Sequence, residues 1–368
     1  MMKIAILIRK YKRSAGGAER YCVELTEKLA TDHEVHVFAQ NYEADCDNIQ
    51  FHKIPKFLEK PRFINQLIFS WLTKRKTAGK FDIVHSHELV SHANIYTMHV
   101  PCFKSILMDI SGIKKFLRVL NTLLSPRKIL YLWLENQQMK QTSKKHFISV
   151  SQYLSRNISK CYPKVNNVSI ANPGLSKNFT NNKLNFLRKK LHIPSNSFLM
   201  LLVANDFKKK GLLTLIKSLE ILKNNHLHLV VAGNGKITKK YISKSIASNI
   251  HFLGPVEDMN NLYSEVDLLV HPTTADTYGM APLEAMSMGL PVIISNMKFC
   301  GYSENLTDSE ALILDNPRDE IELSTKINYL YENTDERIKI AQNGHKKSKS
   351  INWENTLKKT LKAYNSIL

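Results

Sequence analysis

The chain has 368 residues, 43% hydrophobic and 23% charged, with a formal net charge of +20. That length predicts two domains rather than one core. No apolar run approaches the roughly 18 residues of a membrane span, which argues against an integral helical membrane protein. Its five cysteines, Cys22, Cys46, Cys102, Cys161 and Cys300, form no C-x-x-C pair, which disfavours a disulfide scaffold or structural zinc and fits a reduced, cytosolic protein.

The apolar run at Lys3–Ile8 is too short for a signal sequence and predicts a first β-strand. A basic loop from Arg9 to Gly17 follows, then a helix over 18–30, with Tyr21, Leu25 and Leu29 on one face. Strands are expected at 34–39, 49–54, 81–85, 94–98 and 146–150. Helices are expected at about 63–76, over most of 105–145, and from Ser151. A second unit of the same kind starts near Val168. It has predicted strands at 198–204, 227–232, 251–253, 268–271, 290–295 and 311–314, and predicted helices at 212–224, 236–247, 259–265, 320–332, 335–348 and 351–368. Such alternation predicts two doubly wound, mostly parallel sheets. In tandem they make a cleft, and ligands of such sheets sit at the carboxyl ends of the strands.

The charge is uneven: residues 53–145 hold 17 Lys and Arg against 5 Asp and Glu. This favours an anionic partner, whether acidic lipid, anionic glycolipid or nucleic acid. Nucleic acid is the weakest of these, because the chain has no zinc spacing, aromatic strand signature or compact basic motif.

The densest chemistry lies at Asp276–Thr277–Tyr278–Gly279–Met280–Ala281–Pro282–Leu283–Glu284. A strand ended by Pro272 precedes it, and a short helix closed by Gly289 follows. The two acids therefore flank a strand-to-helix turn. The amides of Gly279, Met280 and Ala281 can hold phosphate oxygens at the positive end of the helix. The carboxylates of Asp276 and Glu284 accept hydroxyls. Phosphates in the middle with hydroxyls at both ends is the layout of a nucleotide sugar. Two solvated acids would give the same spacing.

Gly16 and Gly17 lie between the first strand and first helix, where backbone can approach a phosphate or sugar; no G-x-G-x-x-G dinucleotide fingerprint is present. Lys208, Lys209 and Lys210 follow the first strand of the second unit and could neutralise a diphosphate. A solvated charge run is the ordinary alternative. His85, His87 and His99 end strands of the first unit, where histidines are expected to face the cleft. Metal binding by His85 and His87 is disfavoured, since beyond Glu88 no carboxylate-rich partner segment accompanies them.

In order along the chain, Gly16–Gly17–Ala18–Glu19–Arg20, Asp82–Ile83–Val84–His85–Ser86–His87, Val150–Ser151, Asn172–Pro173–Gly174, Lys210–Gly211, Gly233–Asn234–Gly235, Phe252–Leu253–Gly254, Asp276 through Glu284, and Gly289–Leu290–Pro291–Val292 resemble the retaining glycosyltransferases of family 4. The phrases Asn205 through Gly211 and Cys300–Gly301–Tyr302 resemble the members that build lipopolysaccharide core. The resemblance implies a GT-B fold of two Rossmann-like domains. Residues 1–168, with 352–368 packing back, would bind acceptor; residues 169–351 would bind donor. It further implies that Glu284 holds the ribose and that Asp276, one methylene shorter than the family's usual glutamate, contacts the donor sugar. Lys209 and Lys210 would bind the diphosphate, Gly16 and Gly17 would close over the phosphates, and His99 would lie near the sugar. The implied reaction needs no metal or other cofactor. It would move a hexose from a UDP-glucose or UDP-GlcNAc type donor to a lipid-linked or lipopolysaccharide-core acceptor. A soluble polysaccharide or polyol acceptor is the alternative.

Two stretches, 56–76 and 113–128, mix large apolar and basic residues. Cationic amphipathic helices of this sort suit the surface of an anionic membrane. The expectation is a cytoplasmic protein attached peripherally to the inner face of the cytoplasmic membrane.

Overall fold

The computed structural model describes residues 1–43, 46–108, 112–140, 142, 144–175, 186–235 and 242–368. The chain divides into two compact units, Met1–Ser176 with Asn352–Leu368, and Lys177–Ile351.

The first unit runs β1 (Lys3–Leu7), β2 (Lys10–Tyr11), α1 (Gly17–Leu29), β3 (Glu34–Ala39), β4 (Asn41–Tyr42), β5 (Ile49–Lys53), α2 (Arg62–Thr77), β6 (Ile83–Ser86), β7 (Ile95–Met98), α3 (Ser105–Met108), α4 (Gly112–Leu123), α5 (Pro126–Gln138), β8 (His146–Ser149), α6 (Gln152–Cys161) and β9 (Val168–Ile170). Its parallel sheet has the order β5-β3-β1-β6-β7-β8-β9. Alternation along β1 serves both faces. Ile4 and Ile6 pack towards Tyr21, Cys22 and Leu25 of α1, while Ala5 and Leu7 join Phe38 and Phe69 on the other side. Ser151 caps α6 by accepting the Leu154 amide at 3.3 Å, which explains why the helix starts there.

The loop expected at Arg9–Gly17 contains β2, which pairs with β4 in a small ribbon of its own. The division expected after residue 168 falls inside the first sheet. There β9 pairs with β8 through Phe147–Val168, Ile148–Ser169 and Ser149–Ile170, so the first unit runs past 168 and takes in Ser169 and Ile170.

The second unit runs α7 (Phe186–Lys190), β10 (Phe198–Val203), α8 (Leu212–Leu222), β11 (Leu227–Ala232), β12 (Ile250–Gly254), α9 (Met259–Ser264), β13 (Leu268–His271), α10 (Met280–Ser287), β14 (Val292–Ser295), β15 (Leu312–Leu314), α11 (Glu320–Glu332) and α12 (Thr334–Ser348). The order is β12-β11-β10-β13-β14-β15, again parallel. Met200, Leu202, Val231 and Val270 pack against Leu215 and Ile216 of α8 and Leu323 and Ile327 of α11. Strands buried on both faces read as continuous apolar runs, which is what their sequences show. Half of the helix expected at 236–247 lies outside the described residues. Its end is not helical: residues 242–246 are irregular, and one tight turn spans Ala247–Asn249.

The final helix, α13 (Trp353–Asn365), belongs to the first unit. Trp353 packs edge-on against Tyr21 of α1, with ring centroids 5.3 Å apart. A Cβ on Gly174 would come within 2.3 Å of the Trp353 amide nitrogen. Only glycine lets these two backbones meet so closely.

Candidate active site

Both sheets reverse their strand order once. In the second, the chain winds outward from β10 through β11 and β12, then returns to β13 on the other side of β10. Loops leaving the carboxyl ends of β10 and β13 therefore diverge and leave a crevice, the usual ligand position in open α/β sheets.

The loop after β10 carries Lys209 and Lys210, and the loop after β13 carries Asp276. They are stitched together. The Lys209 carbonyl accepts from the Thr274 amide at 2.7 Å and from the Thr273 hydroxyl at 3.1 Å. The Lys210 ammonium pairs with Asp276 Oδ2. His271, the last residue of β13, places Nε2 3.0 Å from the same oxygen. The loop after β14 closes the third side: the Asp276 amide donates to the Phe299 carbonyl at 2.7 Å, and the Gly301 amide donates to the Asp276 carbonyl at 3.1 Å.

Burial pushes the Asp276 carboxyl up, but the His271 hydrogen bond and the Lys210 charge outweigh it and hold the group well below the usual carboxylate range. Burial and the Lys210 charge together push His271 down, against the pull of Asp276. The result is a carboxylate, an ammonium and a neutral imidazole. Because a carboxylate only accepts, His271 must carry its proton on Nε2. Its Nδ1 is left as a buried lone pair without a partner among the described residues. His271, Asp276 and Cys300 also bring a nitrogen, an oxygen and a sulfur within 4.8 Å of one another. The Lys210 ammonium already supplies the positive charge there, and burial drives the Cys300 thiol upward, away from the thiolate that binds metals.

Gly279 opens α10 with φ +107°, and a Cβ there would lie 2.7 Å from Cys300 Sγ. Glycine is required on both counts. Gly279, Met280 and Ala281 thus form the first turn of α10, where amides lack helical acceptors. Glu284, one turn further on, is buried; its Oε2 accepts from the Tyr263 hydroxyl at 3.0 Å.

The first unit repeats the arrangement. Its order reverses between β1 and β6, and Arg9, after β1, pairs with Glu88, after β6, at 2.9 Å. Gly16 and Gly17 start α1 beside this point; a Cβ on Gly17 would meet nothing within 4 Å. His99, just past β7, bonds to His87 through Nε2 and Nδ1 at 2.9 Å and packs edge-on against Tyr21. Burial pushes His99 down to about 3.

His85 corrects the expectation for strand-end histidines. It lies inside β6, fully buried, with one nitrogen 2.7 Å from the Tyr364 hydroxyl and the other 2.7 Å from the Thr97 hydroxyl. It joins α13 to the sheet and faces no ligand.

Asp276, Lys210, Glu284 and the first turn of α10 therefore share one crevice, and Gly16, Gly17 and His99 lie in the other unit. Lys209 holds the loop with its backbone, while its side chain is exposed. His271 and Tyr263 were not anticipated. His271 ends a strand just before a proline, so the rule applied to His99 would have found it; nothing local marks Tyr263.

Two family models cover most of the chain: Glycosyltransferase Family 4 over residues 15–176 and Glycosyl transferases group 1 over residues 185–347. The chain belongs to the group 1 and family 4 glycosyltransferases. The lipopolysaccharide glucosyltransferase WaaG of Escherichia coli K12 is 25% identical over 324 residues, 84% of this chain and 83% of its own. A crystal structure of WaaG superposes with a TM-score of 0.81 at 22% identity, covering 99% of both chains. The Anabaena protein HepE, solved in complex with UDP-glucose, gives 0.75 at 18% identity, covering 100% of both. These likenesses establish the GT-B fold of this glycosyltransferase.

Proposed function

We propose that this glycosyltransferase is a retaining, metal-independent hexosyltransferase that takes a UDP-glucose or UDP-GlcNAc type donor to a lipid-linked or lipopolysaccharide-core acceptor. The observation that carries the reading is the Lys210–Asp276–His271 cluster at the strand reversal of the second sheet, with Glu284 in the helix that follows. WaaG as a relative and HepE with UDP-glucose support the donor class.

In this reading the first turn of α10 and the lysines take the diphosphate. Lys210 has three donors and can keep Asp276 while meeting a phosphate oxygen. Asp276 Oδ1 accepts the Tyr278 amide over a long 3.4 Å, and a carboxylate oxygen has capacity for a further bond, here a sugar hydroxyl. Glu284 holds the ribose. The acceptor hydroxyl attacks the anomeric carbon on the face the diphosphate leaves. The carbon–oxygen bond to the diphosphate breaks, and a phosphate oxygen takes the acceptor's proton. No protein nucleophile is required.

The acceptor side rests on α4. Ile113, Phe116, Leu117, Leu120 and Leu123 are all exposed along it, between 43 and 76%. Arg118 lies on the same helix, and Arg127 and Lys128 begin α5. An exposed apolar face of this size with basic flanks suits an anionic bilayer surface. The 56–76 stretch is less apt, because α2 turns Phe69 into the core and leaves Trp71 exposed beneath Arg75. Among the described residues no helix is long and apolar enough to cross a membrane.

Calorimetry with UDP, GDP and ADP sugars, with and without chelator, tests the donor. Binding of a UDP sugar that survives chelator is expected; binding of none, or binding abolished by chelator, overturns the reading. Co-sedimentation with vesicles tests the surface. Pelleting with anionic but not neutral lipid is expected, and equal or absent pelleting with both overturns it.

A further inference from the structure

His87 and His99 share one hydrogen bond, from His87 Nδ1 to His99 Nε2, at 2.9 Å, with their rings nearly parallel at 22°. Two neutral imidazoles can share it in two ways. Either His87 donates from Nδ1 and His99 accepts, or His99 donates from Nε2 and His87 accepts. A charged imidazolium is disfavoured for both, since burial pushes both down.

The remaining nitrogens choose between the two. His87 Nε2 is buried and, among the described residues, has no hydrogen-bond partner. If His87 accepted at Nδ1, its proton would sit on Nε2, as a buried N–H with no acceptor. Orphaned N–H groups are the rarest polar orphans in folded proteins. If His87 donates, Nε2 is only a bare lone pair. His271 shows this chain adopting that second solution: its Nε2 must donate to Asp276, and its Nδ1 is the buried atom left without a partner.

With His87 donating, His99 Nε2 is the acceptor, and the His99 proton must be on Nδ1. Among the described residues nothing bonds to that Nδ1, and it is not one of the buried unpaired atoms. It is open to a ligand.

We propose that His87 is a positioning residue that fixes His99 as its Nδ1–H tautomer, so that His99 presents a neutral hydrogen-bond donor, and not a base, at the carboxyl edge of the first sheet. His85, whose ring lies 4.5 Å from that of His87, is committed to Tyr364 and Thr97 and does not compete for the bond. Partners that fix a ligating or reacting histidine in this way are typically worth tenfold or more in affinity or activity.

Nitrogen-15 spectroscopy of the histidine rings in the intact chain reads the tautomer directly. His99 is expected as Nδ1–H. The substitution His87→Asn keeps an N–H donor near the position of Nδ1 and should preserve that signature. His87→Leu removes the donor and should release His99 to a mixture of tautomers. Both variants should melt within a few degrees of the parent. An Nε2–H signature at His99 in the parent chain, or identical spectra for the Leu and Asn variants, overturns the inference.

Discussion

The Lys210 ammonium rests on Oδ2 of Asp276, joining the loop after β10 to the loop after β13 across the strand reversal of the second sheet. Sequence separates the two residues by 66 positions. The pair is mostly enclosed, with side-chain exposures of 22% and 16%.

Removing one partner of such a pair strands the other charge. Lys210→Ala is expected to cost about 2 kcal/mol of unfolding free energy, below the fully buried range because water still reaches the pair. It should also weaken nucleotide-sugar binding at least tenfold. Urea denaturation and calorimetry measure the two effects. Stability equal to the parent would mean that the ion pair does not hold the loops.

Acid should unfold the chain through its histidines before its carboxylates. Burial, helped by the neighbouring His99, pushes His85 down to about 3, against about 6.5 for a free histidine. Between those values the unfolded chain binds a proton that the folded chain refuses, so stability falls as pH drops from about 6.5 towards 3. His87, His99 and His271 act in the same direction. Asp276, held low, adds its own loss only below about pH 4, where the unfolded carboxyl takes its proton. Melting temperature should therefore decline steadily from pH 6.5 to 4.5, and His85→Gln should flatten that slope. A parent melting temperature independent of pH over this interval would refute the assignment.

Two glycines should behave oppositely. Gly279→Ala forces a Cβ onto a residue at φ +107°, 2.7 Å from Cys300 Sγ. A loss of about 2 kcal/mol or more is expected, together with nucleotide-sugar binding. Gly17→Ala meets nothing within 4 Å and should leave the melting temperature within a degree or two. Thermal melts beside binding isotherms separate the cases. Equal thermal losses in both would contradict the geometry.

Glu284 and Tyr263 form a third test. Glu284→Ala should remove most nucleotide-sugar affinity. Tyr263→Phe loses one hydrogen bond to the Glu284 carboxylate and should cost about 1 kcal/mol of binding, roughly fivefold. Calorimetry with the UDP sugar checks both. Unchanged binding in Glu284→Ala would contradict the ribose assignment.

Most strands were legible because they are buried apolar runs, as the two-residue β2 and β4 are not, and the turn at 276–284 because its acids and glycine are close in sequence. Position within a strand was harder to read. His85 and His99 look alike in sequence, yet β6 runs one residue past His85 and β7 stops one residue before His99. That difference puts one ring in the core and leaves the other at the carboxyl edge. The pinning of Asp276 by Phe299 and Gly301 and the Tyr263–Glu284 bond are long-range events. No local periodicity encodes them. The division placed after residue 168 fell one residue into β9, because nothing in Val168–Ser169–Ile170 itself says which sheet it joins; only pairing with β8 decides.

The return of α13 to the first unit has a consequence for synthesis. Every strand of the first sheet has been made by Ile170, yet Tyr21 lacks Trp353 and His85 lacks Tyr364 until residues 353–364 leave the ribosome. The second unit, though later in the chain, can finish first. Domains usually complete in the order they are translated; here the earlier one must wait with Tyr21 and His85 short of these contacts, and a ribosome that stops short of Trp353 would spoil the beginning of the protein and spare its middle.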